Sequence, residues 1–377
     1  MRIGLNFHTV DGNISGVEYY SLGLIKGLLR IGTQHSFVVY TNQPGLLTEH
    51  VPASENLTIV EVKRLRSRMA RIVWEHTHLP RLASKHRLDV LHCPGYICPL
   101  RKSSAPYVVT IHDTIAIDHP EWCKPTNALY FNLFMKGTVQ RASRVISVSK
   151  STAGDLERNF GLSDSKVRVV YPGIDEIFKV EKDASRCSQI REHYNLPERY
   201  VLFVGNIEPK KNVPALLAVH RRLREKGLPH KLVIVGKRSW CAGAELDQIH
   251  REAAAGNVIV TGYVDRADLP FVYAMADVFV FPSLYEGFGF PPLEAMACGT
   301  PVVSSNRGAL AETLGDAACI IEPEDTEKIV EAVVSIISDS CLRKEHIEKG
   351  LQKSERFKWE RTARETLSVY EEASAAQ

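Results

Sequence analysis

The 377-residue sequence contains no D-x-D, no C-x-x-C, no G-x-S-x-G and no G-x-G-x-x-G. Without D-x-D, or any tight cluster of histidine, cysteine and carboxylate, a magnesium or manganese clamp lacks support, and no metal or cofactor is called for. The missing serine elbow and glycine fingerprint remove the support for a hydrolase nucleophile and a dinucleotide site. Eight cysteines lie scattered at 93, 98, 123, 187, 241, 298, 319 and 341. With no framework spacing, a reduced, cytoplasmic compartment is expected. No apolar run approaches the roughly 18 residues of a membrane span. The opening RIGLNF reads as a strand rather than a leader peptide. A formal net charge of +3 is too small for a molecule built to hold nucleic acid, so any basic function must be local.

What is present is an average folded composition, 44% hydrophobic and 24% charged. The length predicts two domains. Short β-rich runs alternate with amphipathic helical stretches, the pattern of an α/β chain with parallel sheets. Seven strands are expected at 2–7, 36–41, 58–62, 89–92, 107–112, 144–149 and 167–171. Six more follow at 200–205, 231–236, 257–262, 277–283, 300–305 and 318–321. Pro172 and Gly173 break the pattern, which predicts domains at 1–172 and 173–377. The strandless C-terminal helical stretch packs on the second domain or returns to the first. Ligands of such sheets sit at the carboxyl ends of the strands, so chemistry belongs in the strand-to-helix loops.

One such loop reads SLYEGFGFPPLEAMACGTPVV, residues 283–303. Glu286 is expected in the loop and Glu294 in the first turn of a short helix, with Pro292 opening it and Gly299 as its stop. Gly287 and Gly289 permit close approach of a ligand, and helix-start amides suit a phosphate. A carboxylate beside an anion would instead accept hydrogen bonds from sugar hydroxyls, so the pattern suggests a ligand with phosphate and polyol ends. Two readings stand for Glu294, that ligand role and a simple complement to the helix dipole. A capping box from Ser283 to Glu286 fails, because GFGFPP cannot open a helix.

This stretch resembles the signature of the retaining glycosyltransferases of family 4, whose E-x7-E motif Glu286 and Glu294 match. The resemblance implies the GT-B fold, two facing Rossmann-like domains with a cleft between them. It implies that Glu294 binds the nucleotide ribose and that Glu286 contacts the donor sugar, with Gly287, Phe288 and Gly289 lining the same site. In VGNIEPKKN, Lys211 matches the family's lysine before the helix, while Asn206 stands where the family has an arginine and Lys210 is the nearby substitute. His112, ending the strand YVVTIH, matches a histidine that faces the donor sugar. Gly16 would let the first helix approach the diphosphate or acceptor, and the backbone of Tyr263 and Val264 would hold the base. For each, a plain turn or packing role is the alternative.

The stretch 63–74, with Lys63, Arg64, Arg66, Arg68 and Arg71 interleaved with apolar residues, is the one basic cluster. It suits an anionic membrane surface or a lipid-linked phosphate, which implies a cytoplasmic protein held peripherally on the inner face of the membrane. The expected activity is transfer of a hexose, first mannose from GDP-mannose and then a UDP-sugar, to a glycan or lipid-linked glycan in cell-surface polysaccharide synthesis. Rivals are a glycoside hydrolase, a GT-B sugar-nucleotide epimerase and a non-catalytic nucleotide-sugar-binding protein.

Overall fold

The computed structural model describes residues 1–8, 16–62, 68–181, 183–237 and 243–376. The chain divides into two compact units, the first made of Met1–Gly173 and Phe357–Gln377, the second of Ile174–Arg356.

The first unit holds a seven-stranded sheet of β1 (Arg2–Phe7), β2 (Ser36–Thr41), β3 (Leu57–Glu61), β4 (Val90–Cys93), β5 (Tyr107–Ile111), β6 (Arg144–Ser147) and β7 (Val167–Val169). Its strands are parallel in the order β3-β2-β1-β4-β5-β6-β7. The second unit holds β8 (Tyr200–Val204), β9 (Lys231–Val235), β10 (Val258–Gly262), β11 (Val278–Phe281), β12 (Val302–Ser305) and β13 (Cys319–Ile321). These are also parallel, in the order β10-β9-β8-β11-β12-β13. All thirteen strands fall where the sequence places them, within two residues or so at most ends. Strands covered on both faces read as continuous apolar runs, and YVLFV in β8 and VFVF in β11 are buried at every position.

Of the two placements open to the C-terminal helical stretch, the chain takes the return to the first unit. The helix Trp359–Ala375 lies against the helix Gly16–Ile31 in the first unit. Its buried face is Trp359, Ala363, Leu367, Tyr370 and Ala373, a helical stripe that needs an apolar partner. Two glycines make room for it: a Cβ on Gly23 would lie 2.1 Å from the Trp359 ring, and one on Gly27 would lie 2.6 Å from the Trp359 carbonyl. Beside this contact, Thr362 Oγ1 donates to the Tyr171 carbonyl at 2.7 Å, and Gly173 closes against the Trp359 backbone.

Candidate active site

In the second sheet the chain winds outward from β8 through β9 to β10, then returns to place β11 on the other side of β8. The loops after β8 and β11 therefore leave the sheet at its switch point, where open α/β sheets take their ligands. Gly205 and Gly236 bring two strand ends into backbone contact, since a Cβ on Gly236 would lie 2.1 Å from the Gly205 carbonyl. The chain then makes a 3-10 turn, Pro209–Lys211, and Asn212 at φ 53 leads it into the helix Val213–Glu225. The loop after β11 is tied to this turn by the Leu284 amide, which donates to the Lys210 carbonyl at 2.7 Å.

That tie brings Lys211 and Glu286 together. Lys211 Nζ donates to Glu286 Oε1 at 2.5 Å and lies 4.7 Å from the centre of the Phe281 ring. Both side chains are buried. Burial, the largest single influence, raises the Glu286 carboxyl, but Lys211, Lys210 and Ser283 together outweigh it and hold the carboxyl below its usual value. Behind Glu286 stands Gly308, at φ 58: a Cβ there would lie 2.3 Å from the Glu286 carbonyl oxygen, which also accepts from the Ala309 amide at 2.8 Å. No other residue type fits that approach without moving the loop.

Gly289, at φ 101, turns the chain into the helix Phe290–Ala297. This helix opens two residues before Pro292, so Glu294 stands in its second turn and not in the first. There the pull of the helix dipole has faded, and the dipole alone does not account for a buried carboxylate. Pro291 and Pro292 bring no N–H, so the helix start also offers an anion fewer donors than expected. Instead Tyr273 donates its hydroxyl to Glu294 Oε2 at 2.9 Å. Burial raises the Glu294 carboxyl, an effect that Arg266 and the Tyr273 hydroxyl oppose. Arg266 in turn reaches Asp175 at 3.3 Å and lies over the Phe178 ring at 5.1 Å. Glu294 is thus fixed at one oxygen by a tyrosine, with a guanidinium nearby to balance its charge.

In the first unit His112 follows β5 and lies between the rings of Tyr20 and Tyr96, at centroid distances of 4.8 and 5.2 Å. Its Nε2 is 2.7 Å from the Pro94 carbonyl, which can only accept, so Nε2 carries the proton. Burial lowers its pKa against the opposing pull of Pro94, Asp113 and Glu18. The neutral ring therefore offers Nδ1 as a hydrogen-bond acceptor. Tyr20 is fixed from behind through a buried chain: its hydroxyl meets Thr110 Oγ1 at 3.2 Å, His92 Nε2 meets Thr110 at 2.8 Å, and His92 Nδ1 meets the Tyr370 hydroxyl at 2.7 Å. Burial pushes the His92 imidazole down to about 3.

Residues 14–177 match the family model for Glycosyltransferase Family 4, and residues 188–353 match that for Glycosyl transferases group 1. The O-antigen chain mannosyltransferase B of Escherichia coli is 30% identical over 283 residues, which cover 74% of this chain and 74% of that protein. The chain is a family 4 glycosyltransferase. The serotype-specific mannosyltransferase WbdA of Escherichia coli is 28% identical over 282 residues, 72% of this chain but 34% of its own, so the glycosyltransferase spans about a third of that relative. Among solved structures, sucrose-phosphate synthase from Thermosynechococcus elongatus covers 100% of both chains with a TM-score of 0.77 at 21% identity, a likeness of fold. That fold is GT-B.

Of the residues singled out in this glycosyltransferase, the structure joins Lys211, Glu286 and the loop of Gly287, Phe288 and Gly289. Lys210 lies in the same turn, and Asn206 is exposed beside Gly205. Tyr263 and Val264 follow β10, two strands from β8 and about 10 Å away across the sheet. Val264 is buried, whereas Tyr263 is 61% exposed with the Lys237 ammonium 4.8 Å over its ring. A Cβ on Gly16 would meet nothing within 4 Å, so no packing demands glycine there. Of the basic stretch, Lys63, Arg64 and Arg66 lie outside the described residues, as does the Arg68 side chain. Ile72 packs in the core, Trp74 stacks on His8 at 5.4 Å, and Val73 is 53% exposed. Sequence reasoning missed Asp175, Tyr273, Arg266 and Gly308. Only position hinted at two of them, Arg266 directly after YVD and Gly308 in the loop after β12. No helix among the described residues is long and apolar enough to cross a membrane.

Proposed function

We infer that this glycosyltransferase moves mannose from GDP-mannose to a hydroxyl of a glycan or lipid-linked glycan in the synthesis of a cell-surface polysaccharide. The observation that carries this reading is the buried Lys211–Glu286 pair at the switch point of the second sheet, in a chain related to O-antigen mannosyltransferases. A hexose bound there has its anomeric carbon bonded to a diphosphate oxygen. As that bond breaks, its electron pair leaves with the diphosphate, and Lys211, held in place by Glu286, meets the growing negative charge. Lys210 adds to this field where the family's arginine is replaced by Asn206. The acceptor oxygen forms the new bond on the same face, and its proton passes to the departing phosphate, which gives retention without a protein base.

Glu294 holds the ribose hydroxyls, with Tyr263 and Val264 at the base end. Glu286 contacts the sugar ring, and Nδ1 of His112 accepts from a sugar hydroxyl. No step requires a metal. Calorimetry in EDTA, with GDP, UDP and ADP against the wild type and Glu294→Ala, tests the reading. GDP is expected to bind in the absence of metal and to bind about tenfold or more weakly to the variant. Preference for UDP would replace the donor, and equal binding by both proteins would remove Glu294 from the site. GDP-mannose consumed with no acceptor present, and converted to another nucleotide sugar, would mark an epimerase.

A further inference from the structure

The setting of Glu294 is built by one short turn. The chain enters the second unit at Ile174 and folds back at once: the Phe178 amide donates to the Asp175 carbonyl at 3.0 Å, and the Ile177 amide to Asp175 Oδ1 at 3.3 Å. The other carboxylate oxygen, Asp175 Oδ2, accepts from the Arg266 guanidinium at 3.3 Å, and that guanidinium lies 5.1 Å over the Phe178 ring. The same ring meets Tyr273 edge-on at a centroid distance of 5.9 Å, and Tyr273 donates to Glu294 Oε2. One turn therefore holds both the tyrosine that binds Glu294 and the guanidinium that balances its charge.

Such a frame suits a buried carboxylate that has to stay charged. A ribose presents neighbouring hydroxyls as donors, and both oxygens of a carboxylate accept them only while neither carries a proton. Burial raises the Glu294 carboxyl, and Arg266 comes first among the influences that oppose it, ahead of Tyr273. Burial lowers Arg266 itself to about 10 against the pull of Glu294 and Tyr273, so it keeps its charge at neutral pH. Among the described residues, the other ionisable groups beside Glu294 are Asp175, which works against Arg266, and the Cys298 thiol, pushed up by burial and by Glu294 and so neutral. β11 and β12 bring apolar residues and serines, and the helix Ser340–Ser354 meets the helix of Glu294 where Gly350 faces Met296. A phosphate is a poor alternative ligand for Arg266, because Asp175 and Glu294 already match its charge.

We propose that Arg266 is the positioning residue of Glu294, set by the turn Asp175–Phe178 so that the carboxylate stands ready for the hydroxyls of a ribose. The ribose rests on the donor-site reading; the service of Arg266 to Glu294 does not.

Calorimetry with GDP on the full chain, between about pH 6 and pH 9, tests this in Arg266→Gln and Arg266→Lys, with Glu294→Ala beside them. The ratio of each variant's affinity to the wild type's at the same pH cancels the titration of the nucleotide. Without its cation the Glu294 carboxyl rises further, so Arg266→Gln should bind GDP about tenfold more weakly at the acid end and within about twofold of the wild type at the alkaline end. Arg266→Lys keeps the charge and should follow the wild type; Arg266→Met serves should Arg266→Gln fail to fold. Loss by the same factor at every pH would make Arg266 a packing residue or a direct contact of the nucleotide, and overturns the proposal. So does no loss at any pH while Glu294→Ala weakens binding.

Melting temperatures read the pair with no nucleotide present. A carboxyl raised in the folded state contributes stability below its unfolded pKa and loses it as pH rises through the folded one. The melting temperature of Arg266→Gln should therefore fall more steeply with rising pH than the wild type's, and adding Glu294→Gln should remove the extra fall. No extra fall, or one that survives in the double variant, overturns the proposal. GDP binding that is absent, or equal in the wild type and Glu294→Ala, would with the extra fall present end the ribose reading and leave Arg266 as the partner of Glu294.

Discussion

Lys211 and Glu286 act as one unit, and the consequences of cutting it are unequal. Removing the lysine leaves a buried carboxylate without its cation, a change worth about 3–5 kcal/mol of destabilisation. Lys211→Ala is therefore expected to lower the denaturation midpoint and to abolish turnover. The double variant Lys211→Met with Glu286→Gln should recover much of the stability and none of the activity. Additive losses in chemical melts would show that the two do not interact. Two other buried groups give pH dependence of opposite sign. His92 has a folded pKa lowered from 6.5 to about 3, so the stability it contributes is present above 6.5 and lost as pH falls towards 3. Glu75 has one raised from 4.5 to about 7, so its contribution is present below 4.5 and lost as pH rises through 7. Between pH 4.5 and 6.5 the two slopes oppose each other, so the melting temperature of Glu75→Leu should rise more steeply with pH than that of the wild type, and an unchanged profile would place that carboxyl in water.

At the scale of elements, the loop that carries Glu286 depends on the glycine pressed against its backbone. Gly308→Ala combines a left-handed φ with a Cβ 2.3 Å from a carbonyl oxygen, whereas Gly161→Ala, at φ 66 with nothing within 4 Å, isolates the backbone term. The latter should cost about 1–2 kcal/mol and leave transfer intact. The former should cost more and depress kcat as Glu286 shifts; equal effects would show that the loop yields freely. The strands were legible because two-sided burial writes itself as runs such as KLVIV and VVSS, and Glu286 because its loop carries a recognisable spacing. The opening of the helix at Phe290 was not, since two adjacent prolines look like a first turn wherever they fall and only the left-handed Gly289 shows where it begins. Nor could Arg71 be placed: within a run of basic residues it reads as a solvated charge, whereas in the structure its Nε lies 3.9 Å from the carboxylate of the buried Glu75, four residues on in the same helix. The pairing of Glu294 with Tyr273 and Arg266 has no sequence period at all, because three separate elements supply it.

Across the whole molecule, the chain leaves the first unit after Gly173 and re-enters it at Phe357. A chain ending at Arg356 would lose the helix that buries Trp359 and Tyr370 and leave His92 without its tyrosine, so the first unit should not fold. Residues 174–356 alone should melt cooperatively and retain GDP affinity within about tenfold, as read by calorimetry. A folded, active truncation would show that the returning helix is dispensable. The points of exit and return touch, with Gly173 against the Trp359 backbone and Thr362 bonded to Tyr171. A segment whose two ends meet asks the host for almost no loop-closure entropy, whatever its length. The second unit is therefore a cassette, spliced into a host at one spot, and a related cassette could replace it there.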